Sequence, residues 1–74
     1  MNLLDKKKQN IFSILMANYN KAAYVGEAIE SVLEQSWSKW ELIIVDDCST
    51  DDSVEIIKKY LSDRRIKLFK NKKI

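Results

Sequence analysis

Trp40-Glu41-Leu42-Ile43-Ile44-Val45-Asp46-Asp47-Cys48-Ser49-Thr50-Asp51-Asp52-Ser53 joins an apolar run to an acidic turn with no linker between them. Trp40 to Val45, with four consecutive apolar residues from Leu42, reads as a strand. The turn that follows is built to start a helix. Ser49 with Asp52 three residues on resembles a capping box, and carboxylates sit favourably at the positive end of a helix. Val54, Ile57 and Leu61, joined by Tyr60, supply an apolar stripe that carries this helix to about Leu61.

The same alternation extends in both directions. Upstream, residues 11–16 (Ile-Phe-Ser-Ile-Leu-Met) form a nearly continuous apolar run, suited to a strand covered on both faces. It ends at Ala17-Asn18-Tyr19-Asn20, a turn-prone stretch in which Asn20 is placed to cap a helix. Val25, Ala28, Ile29, Val32 and Leu33 then recur at helical spacing, with Glu27, Glu30 and Glu34 on the other side. This helix is expected to fade near residues 35–38, and Trp37 and Trp40, flanking the turn into the next strand, read as packing residues. Downstream, residues 66–69 read as a third strand.

The pattern is β-α-β-α-β, an α/β class chain whose strands form a parallel sheet in the order 3-2-1, half of a doubly wound domain. Residues 1–10 read as a flexible leader and residues 11–74 as one partial domain. In this order the first strand lies at an open edge of the sheet. Such a chain is expected to be part of a larger domain or to pair with another copy of itself.

Composition removes several function classes. With 74 residues, 46% of them apolar, the chain suits one small packed domain. Thirteen basic and eleven acidic residues leave a net charge of +2, which gives no nucleic-acid footprint. The lysines at residues 6–8 and at 70, 72 and 73 read as solvated terminal charge. The absence of histidine excludes a histidine-based nucleophilic triad and a Cys/His zinc site. A single cysteine, Cys48, cannot form an internal disulfide, and no cation stands beside it in the sequence to activate it. No run approaches the roughly 18 apolar residues of a membrane span, and the charged leader has no apolar core of a secretory signal. A cytoplasmic setting is expected, with the inner face of the membrane as a second location.

Ligands of open parallel sheets bind at the carboxyl ends of the strands. Two turns here answer that description, residues 17–20 and residues 46–49, roughly 5 Å apart if their strands are neighbours. An aromatic ring at Tyr19 beside the carboxylates of Asp46 and Asp47 suits a nucleobase. The ring stacks, and a carboxylate accepts the imide N–H that uracil, thymine and guanine offer and adenine lacks. Asp46 reads equally well as a structural anion of the loop. A phosphoacceptor receiver domain fits less well, because its acidic pair follows the first strand. A dinucleotide-binding loop is absent: the one glycine, Gly26, falls inside a helix.

These turns also carry a family likeness. Ser-Ile-Leu-Met-Ala-Asn-Tyr-Asn-Lys (residues 13–21) resembles the opening strand and Tyr-Asn turn of family 2 glycosyltransferases. Residues 28–36 are similar to their first helix, and residues 40–53 to their second strand with its Asp-Asp-Gly-Ser-Thr-Asp loop. The resemblance implies a GT-A fold, a nucleotide-sugar donor, usually a UDP-sugar, and inverting transfer to a glycan or related acceptor. By position it implies that Tyr19 stacks on uracil, that the backbone around Ala17 touches the nucleoside, that Asp47 accepts the uracil N3–H, and that Asp46 supports the loop. Ala17 replaces a small polar residue or proline, and Cys48 stands where glycine is common. The family's Asp-x-Asp motif for a divalent metal (Mg or Mn), its catalytic base and its acceptor-binding half are expected beyond residue 74. No catalytic residue or metal site is therefore assigned within this chain, and sugar transfer by it alone is not expected. The alternative is a catalytically inactive βαβαβ binding or assembly module that self-associates, as a homodimer, through the open edge.

Overall fold

The computed structural model describes residues 11–72, so the leader expected over residues 1–10 lies outside the described residues. Strand β1 (Phe12–Asn18) leads through helix α1 (Ala22–Leu33) to β2 (Trp40–Asp46), then through helix α2 (Ser53–Lys58) to β3 (Ile66–Lys70). The strands form one parallel sheet in the order β1-β2-β3, the arrangement expected from the alternating pattern. The register pairs Phe12 with Trp40 and Asn18 with Asp46, and then Leu42 with Ile66 and Asp46 with Lys70. Asn18, Asp46 and Lys70 thus end the three strands side by side.

Both helices pack on one face of the sheet. Val25 and Ile29 from α1 and Ile57 from α2 meet Trp40, Leu42 and Ile44 of β2 and Ile66 of β3 in one buried cluster. Strand geometry explains the selection, because alternate residues of β2 point to the same face. Glu30 of α1 and Tyr60 after α2 add a polar tie, with the Tyr60 hydroxyl donating to Glu30 Oε2 at 2.8 Å. The Trp40 ring is buried and carries the Arg65 guanidinium 3.9 Å from its centre, a cation–π contact that closes the bottom of the core. Trp37 remains 43% exposed and meets Phe12 edge-on at 6.0 Å.

Two expectations are corrected here. β1 is not covered on both faces: Leu15 is 74% exposed, and Phe69, on the same face in β3, is 56% exposed. With both helices on the same side, the face bearing Leu15 has no layer over it among the described residues. The second helix also ends early, at Lys58 rather than Leu61. Tyr60 N–H and Leu61 N–H bond to carbonyls three residues back, at Ile57 and Lys58, so the chain tightens into turns. Tyr60 and Leu61 still pack on the core, which is why they continue the apolar stripe.

The turn after α2 is pinned by Asp63, which accepts from Arg65 Nη2 at 2.7 Å, from Nε at 3.0 Å and from the Arg65 N–H. The Arg65 side chain is the main cause that draws the Asp63 carboxyl from 3.8 down to about 2. Because the folded value lies below the unfolded one, its stabilisation is complete above the unfolded value and is lost as pH falls through the folded one. Discounted for the half-open setting, it is worth about 1 kcal/mol. Asp63→Asn is expected to lower stability at neutral pH by that amount and to flatten the fall in unfolding free energy between pH 3.8 and about 2, measured by urea titration.

Candidate functional site

The carboxyl ends of β1 and β2 are bound together by a buried polar network. Asn18, 2% exposed, donates through Nδ2 to Asp46 Oδ1 (2.7 Å), Ser53 Oγ (2.9 Å) and Ser49 Oγ (3.2 Å). The two serine hydroxyls accept from Asn18 because their own protons go elsewhere. Ser49 donates to Asp46 Oδ1 at 2.6 Å, and Ser53 donates to Asp51 Oδ1 at 2.6 Å. Aiming Nδ2 at three acceptors leaves Asn18 Oδ1 buried without a hydrogen-bond partner among the described residues.

Asp46 is 2% exposed, and its other oxygen accepts the Ser49 N–H at 3.0 Å. Burial pushes its carboxyl up, but hydrogen bonds from Ser49 and Asn18 together outweigh burial and hold it below the ordinary carboxylate range. Asp47, the next residue, faces solvent. Its N–H donates to the Asn18 carbonyl at 2.9 Å, continuing the sheet one residue past β2. Adjacent strand residues point to opposite sides, which is why one aspartate is interior and the other is presented.

The helix starts differ from the sequence reading. Asn20 does not cap α1; it adopts φ 50° and its Oδ1 accepts from the Thr50 and Asp51 N–H groups at 2.7 and 3.2 Å. Lys21 holds the cap position of α1 and Asp52 that of α2, neither with a side-chain cap bond. Asp51 takes over both tasks. Its Oδ2 accepts from the Ala22 N–H of α1 and its Oδ1 from the Ser53 N–H of α2, each at 2.9 Å. Ser49, read as half of a capping box, instead accepts from the Asn20 N–H at 2.9 Å. The consequence is functional: residues 18–20 and 46–53 are cross-linked into one rigid platform.

On that platform Ala17, Tyr19 and Asp47 are exposed and Asp46 is not. Tyr19 is 54% exposed, so the ring has a free face to offer. One participant was missed in the sequence. Asn71, just past β3, donates from Nδ2 to Asp47 Oδ1 at 3.3 Å, and its N–H donates to the Asp46 carbonyl at 2.8 Å. Its carbonyl also accepts from the Cys48 thiol at 3.1 Å. Only the pairing of β2 with β3 brings Asn71 there, a contact no local motif announces.

Cys48 sits at φ 59°, a left-handed conformation that costs a residue with a Cβ about 1–2 kcal/mol. Cys48→Gly relieves that strain but adds chain entropy to the unfolded state and removes the thiol's bond to the Asn71 carbonyl, leaving a net gain of about 0.5 kcal/mol or less. The expected result is a melting temperature unchanged or higher by no more than about 4 °C in a calorimetric scan.

A divalent cation does not fit these residues. Among the described residues no three Asp, Glu, Cys or His side chains converge, and the Asp46 carboxylate is enclosed while that of Asp47 faces solvent. A groove of about 730 Å³ lies along β3, between it and α2; Lys58, Leu61, Leu68, Lys70 and Lys72 line it, and Asp46, Ser49, Asp51 and Asn71 of the platform close one end. Neither Tyr19 nor Asp47 lines it.

The sequence pattern that defines "Glycosyl transferase family 2" matches residues 13–73, which takes in every residue of this platform. The chain belongs to glycosyltransferase family 2. It is 47% identical over 62 residues to "Putative glycosyltransferase EpsE" of Bacillus subtilis (strain 168), a match covering 81% of this chain and 22% of that protein. It is 36% identical over 59 residues to "Poly(ribitol-phosphate) beta-N-acetylglucosaminyltransferase TarS" of Staphylococcus aureus (strain Mu50 / ATCC 700699), covering 77% of this chain and 10% of that one. The crystal structure of S. aureus TarS 1-349 superposes with a TM-score of 0.76 at 32% identity, over 82% of this chain and 19% of that one. The family 2 chain described here therefore spans less than a quarter of the length of these relatives. No helix among its described residues is long and apolar enough to cross a membrane.

Proposed function

We propose that this chain is the nucleobase-binding segment for a nucleotide-sugar donor, a UDP-sugar, in an inverting glycosyltransferase acting on a glycan acceptor. One observation carries the reading. A rigid, cross-linked platform presents an exposed ring at Tyr19 and an exposed carboxylate at Asp47 on the same end of the sheet. Tyr19 stacks on the uracil, a contact of about 1–3 kcal/mol for an aromatic against a base. Asp47 accepts the N3–H in a charge-assisted hydrogen bond, with Asn71 holding its carboxylate in place. The main chain at Ala17 approaches the nucleoside, while Asp46 acts from within by fixing the loop. Sugar transfer, a divalent metal (Mg or Mn) for the diphosphate and the acceptor site belong in this proposal to the longer protein.

The direct test is a calorimetric titration of the chain with UDP and with ADP. UDP is expected to bind at least tenfold tighter, since adenine has no imide donor for Asp47. Equal affinity for the two nucleotides would exclude the assignment of Asp47.

A second reading, a catalytically inactive module that self-associates as a homodimer through the sheet, draws support from the outer edge of β1, unpaired among the described residues, and from the 74% exposure of Leu15. Light scattering after size exclusion decides it. A monomeric mass across a tenfold dilution series removes this reading, whereas a dimer that Leu15→Lys dissociates supports it.

A further inference from the structure

We infer that the free flank of β3 is a docking surface for an anionic lipid bilayer. The charge of this chain is unevenly distributed. Residues 1–57 contain ten acidic and five basic side chains, whereas residues 58–72 contain seven basic and one acidic. A net charge near zero conceals this division.

The fold turns that stretch of sequence into a surface. β3 is an edge strand, with the end of α2 and the following turn beside it. Lys58, Lys59, Arg64, Lys67, Lys70 and Lys72 are all exposed along this flank. The one acidic residue of the stretch, Asp63, is already engaged by Arg65 at 2.7 Å, the only ion pair among the described residues. None of the six cations is in an ion pair among the described residues. Lys58, Lys70 and Lys72 share their groove with Glu55 and with Asp46 and Asp51, whose carboxylates are already engaged by the hydrogen bonds of the platform.

A bilayer explains more of this flank than a soluble polyanion does. Lys58, Lys70 and Lys72 line the groove beside β3, whereas Lys67 stands on the other face of the strand with Phe69, so the cations extend over the flank as a planar array of headgroups requires. Phe69 stands between Lys67 and Lys70 and is 56% exposed. It adjoins the uncovered sheet face, where Val45 and Ala17 lie beside it in register. An aromatic ring among lysines at the margin of an apolar face suits the boundary between headgroups and acyl chains. It has no role in contacts to phosphates alone. The surface meets the platform at Cys48 and Asn71, while Tyr19 and Asp47 lie outside its groove.

The test is sedimentation of the 74-residue chain with vesicles of phosphatidylcholine alone and of phosphatidylcholine mixed with phosphatidylglycerol, at low and high salt. Binding is expected only to the mixed vesicles, with release by salt. Each lysine near an anionic surface contributes about fivefold in affinity, so combining Lys58→Glu, Lys70→Glu and Lys72→Glu is expected to weaken binding by about a hundredfold or more. The corresponding glutamine variant guards against misfolding, checked by circular dichroism, and is expected to show a similar but smaller loss. Lys21→Glu, at the start of α1 on the β1 side of the sheet, is expected to leave binding unchanged. Failure to sediment with mixed vesicles, equal binding to neutral vesicles, indifference to the substitutions, or equal affinity for duplex DNA at the same phosphate concentration overturns the proposal.

Discussion

Asp46→Ala is expected to remove about 3 kcal/mol of stability, a large part of the roughly 4–11 kcal/mol available to a chain of this size. The reason lies in what the carboxylate satisfies. It accepts the Ser49 N–H, the Ser49 hydroxyl and the Asn18 amide, and it is 2% exposed, so water cannot replace it without reopening the loop. Removing it strands donors in the interior and frees the cross-link between the two turns. In urea the midpoint is expected to fall by about 2–3 M, taking m near 1 kcal/mol/M for a small domain. Asp46→Asn preserves shape but places an NH₂ where an acceptor is needed, so it is expected to recover only part of the loss. The hydrogen bonds hold the carboxyl below its ordinary value, so wild-type stability from this group is complete above about pH 4 and falls as pH drops through the folded value. Asp46→Asn is expected to show a correspondingly weaker acid dependence. A shift below about 0.5 kcal/mol for Asp46→Ala would place the aspartate outside the structural network.

The second large effect concerns binding. Tyr19→Ala and Asp47→Ala are each expected to weaken UDP binding by about 10- to 100-fold, from loss of stacking and of a charge-assisted hydrogen bond. The two side chains are exposed, so neither substitution is expected to change the urea midpoint by more than about 0.5 kcal/mol in free energy. That separation between affinity and stability distinguishes them from Asp46. Asn71→Ala is expected to cost about tenfold, because it removes only the support of the Asp47 carboxylate. If Asn71 acts through Asp47, its effect shrinks in the Asp47→Ala background, which a calorimetric double-mutant cycle measures.

The architecture was legible because it rests on patterns of short range. The apolar run from Leu42 to Val45, the helical spacing of Val25, Ile29, Val32 and Leu33, and the acidic turn after β2 each speak for their own segment. Their alternation leads to a parallel sheet in the order 3-2-1, and the sheet has it. The same local reading overestimated α2, since the stripe through Tyr60 and Leu61 persists after the helical hydrogen bonds have given way to turns. Side-chain roles that depend on distant partners were not legible. Asp51 looked like a charge at the start of one helix and joins the first turns of both, reaching Ala22, 29 residues away, as well as Ser53. Asn18 looked like a turn residue and is a buried hub. Asn71 gave no signal, because its link to Asp47 exists only once β3 is seated beside β2. The uncovered sheet face was likewise hidden, since an apolar strand sequence does not say which of its faces receives the helices.

The most direct measurement is a titration of the nitrogen-15-labelled chain with UDP, followed through its backbone amide NMR signals. Saturable shifts are expected, concentrated at residues 17–20 and 47–48 and at Asn71, and absent when ADP replaces UDP at the same concentration. Shifts confined to the β3 groove around Lys58 and Lys70, or no shifts from a chain whose spectrum shows it folded, would contradict the assignment of the Tyr19–Asp47 platform as the nucleobase site.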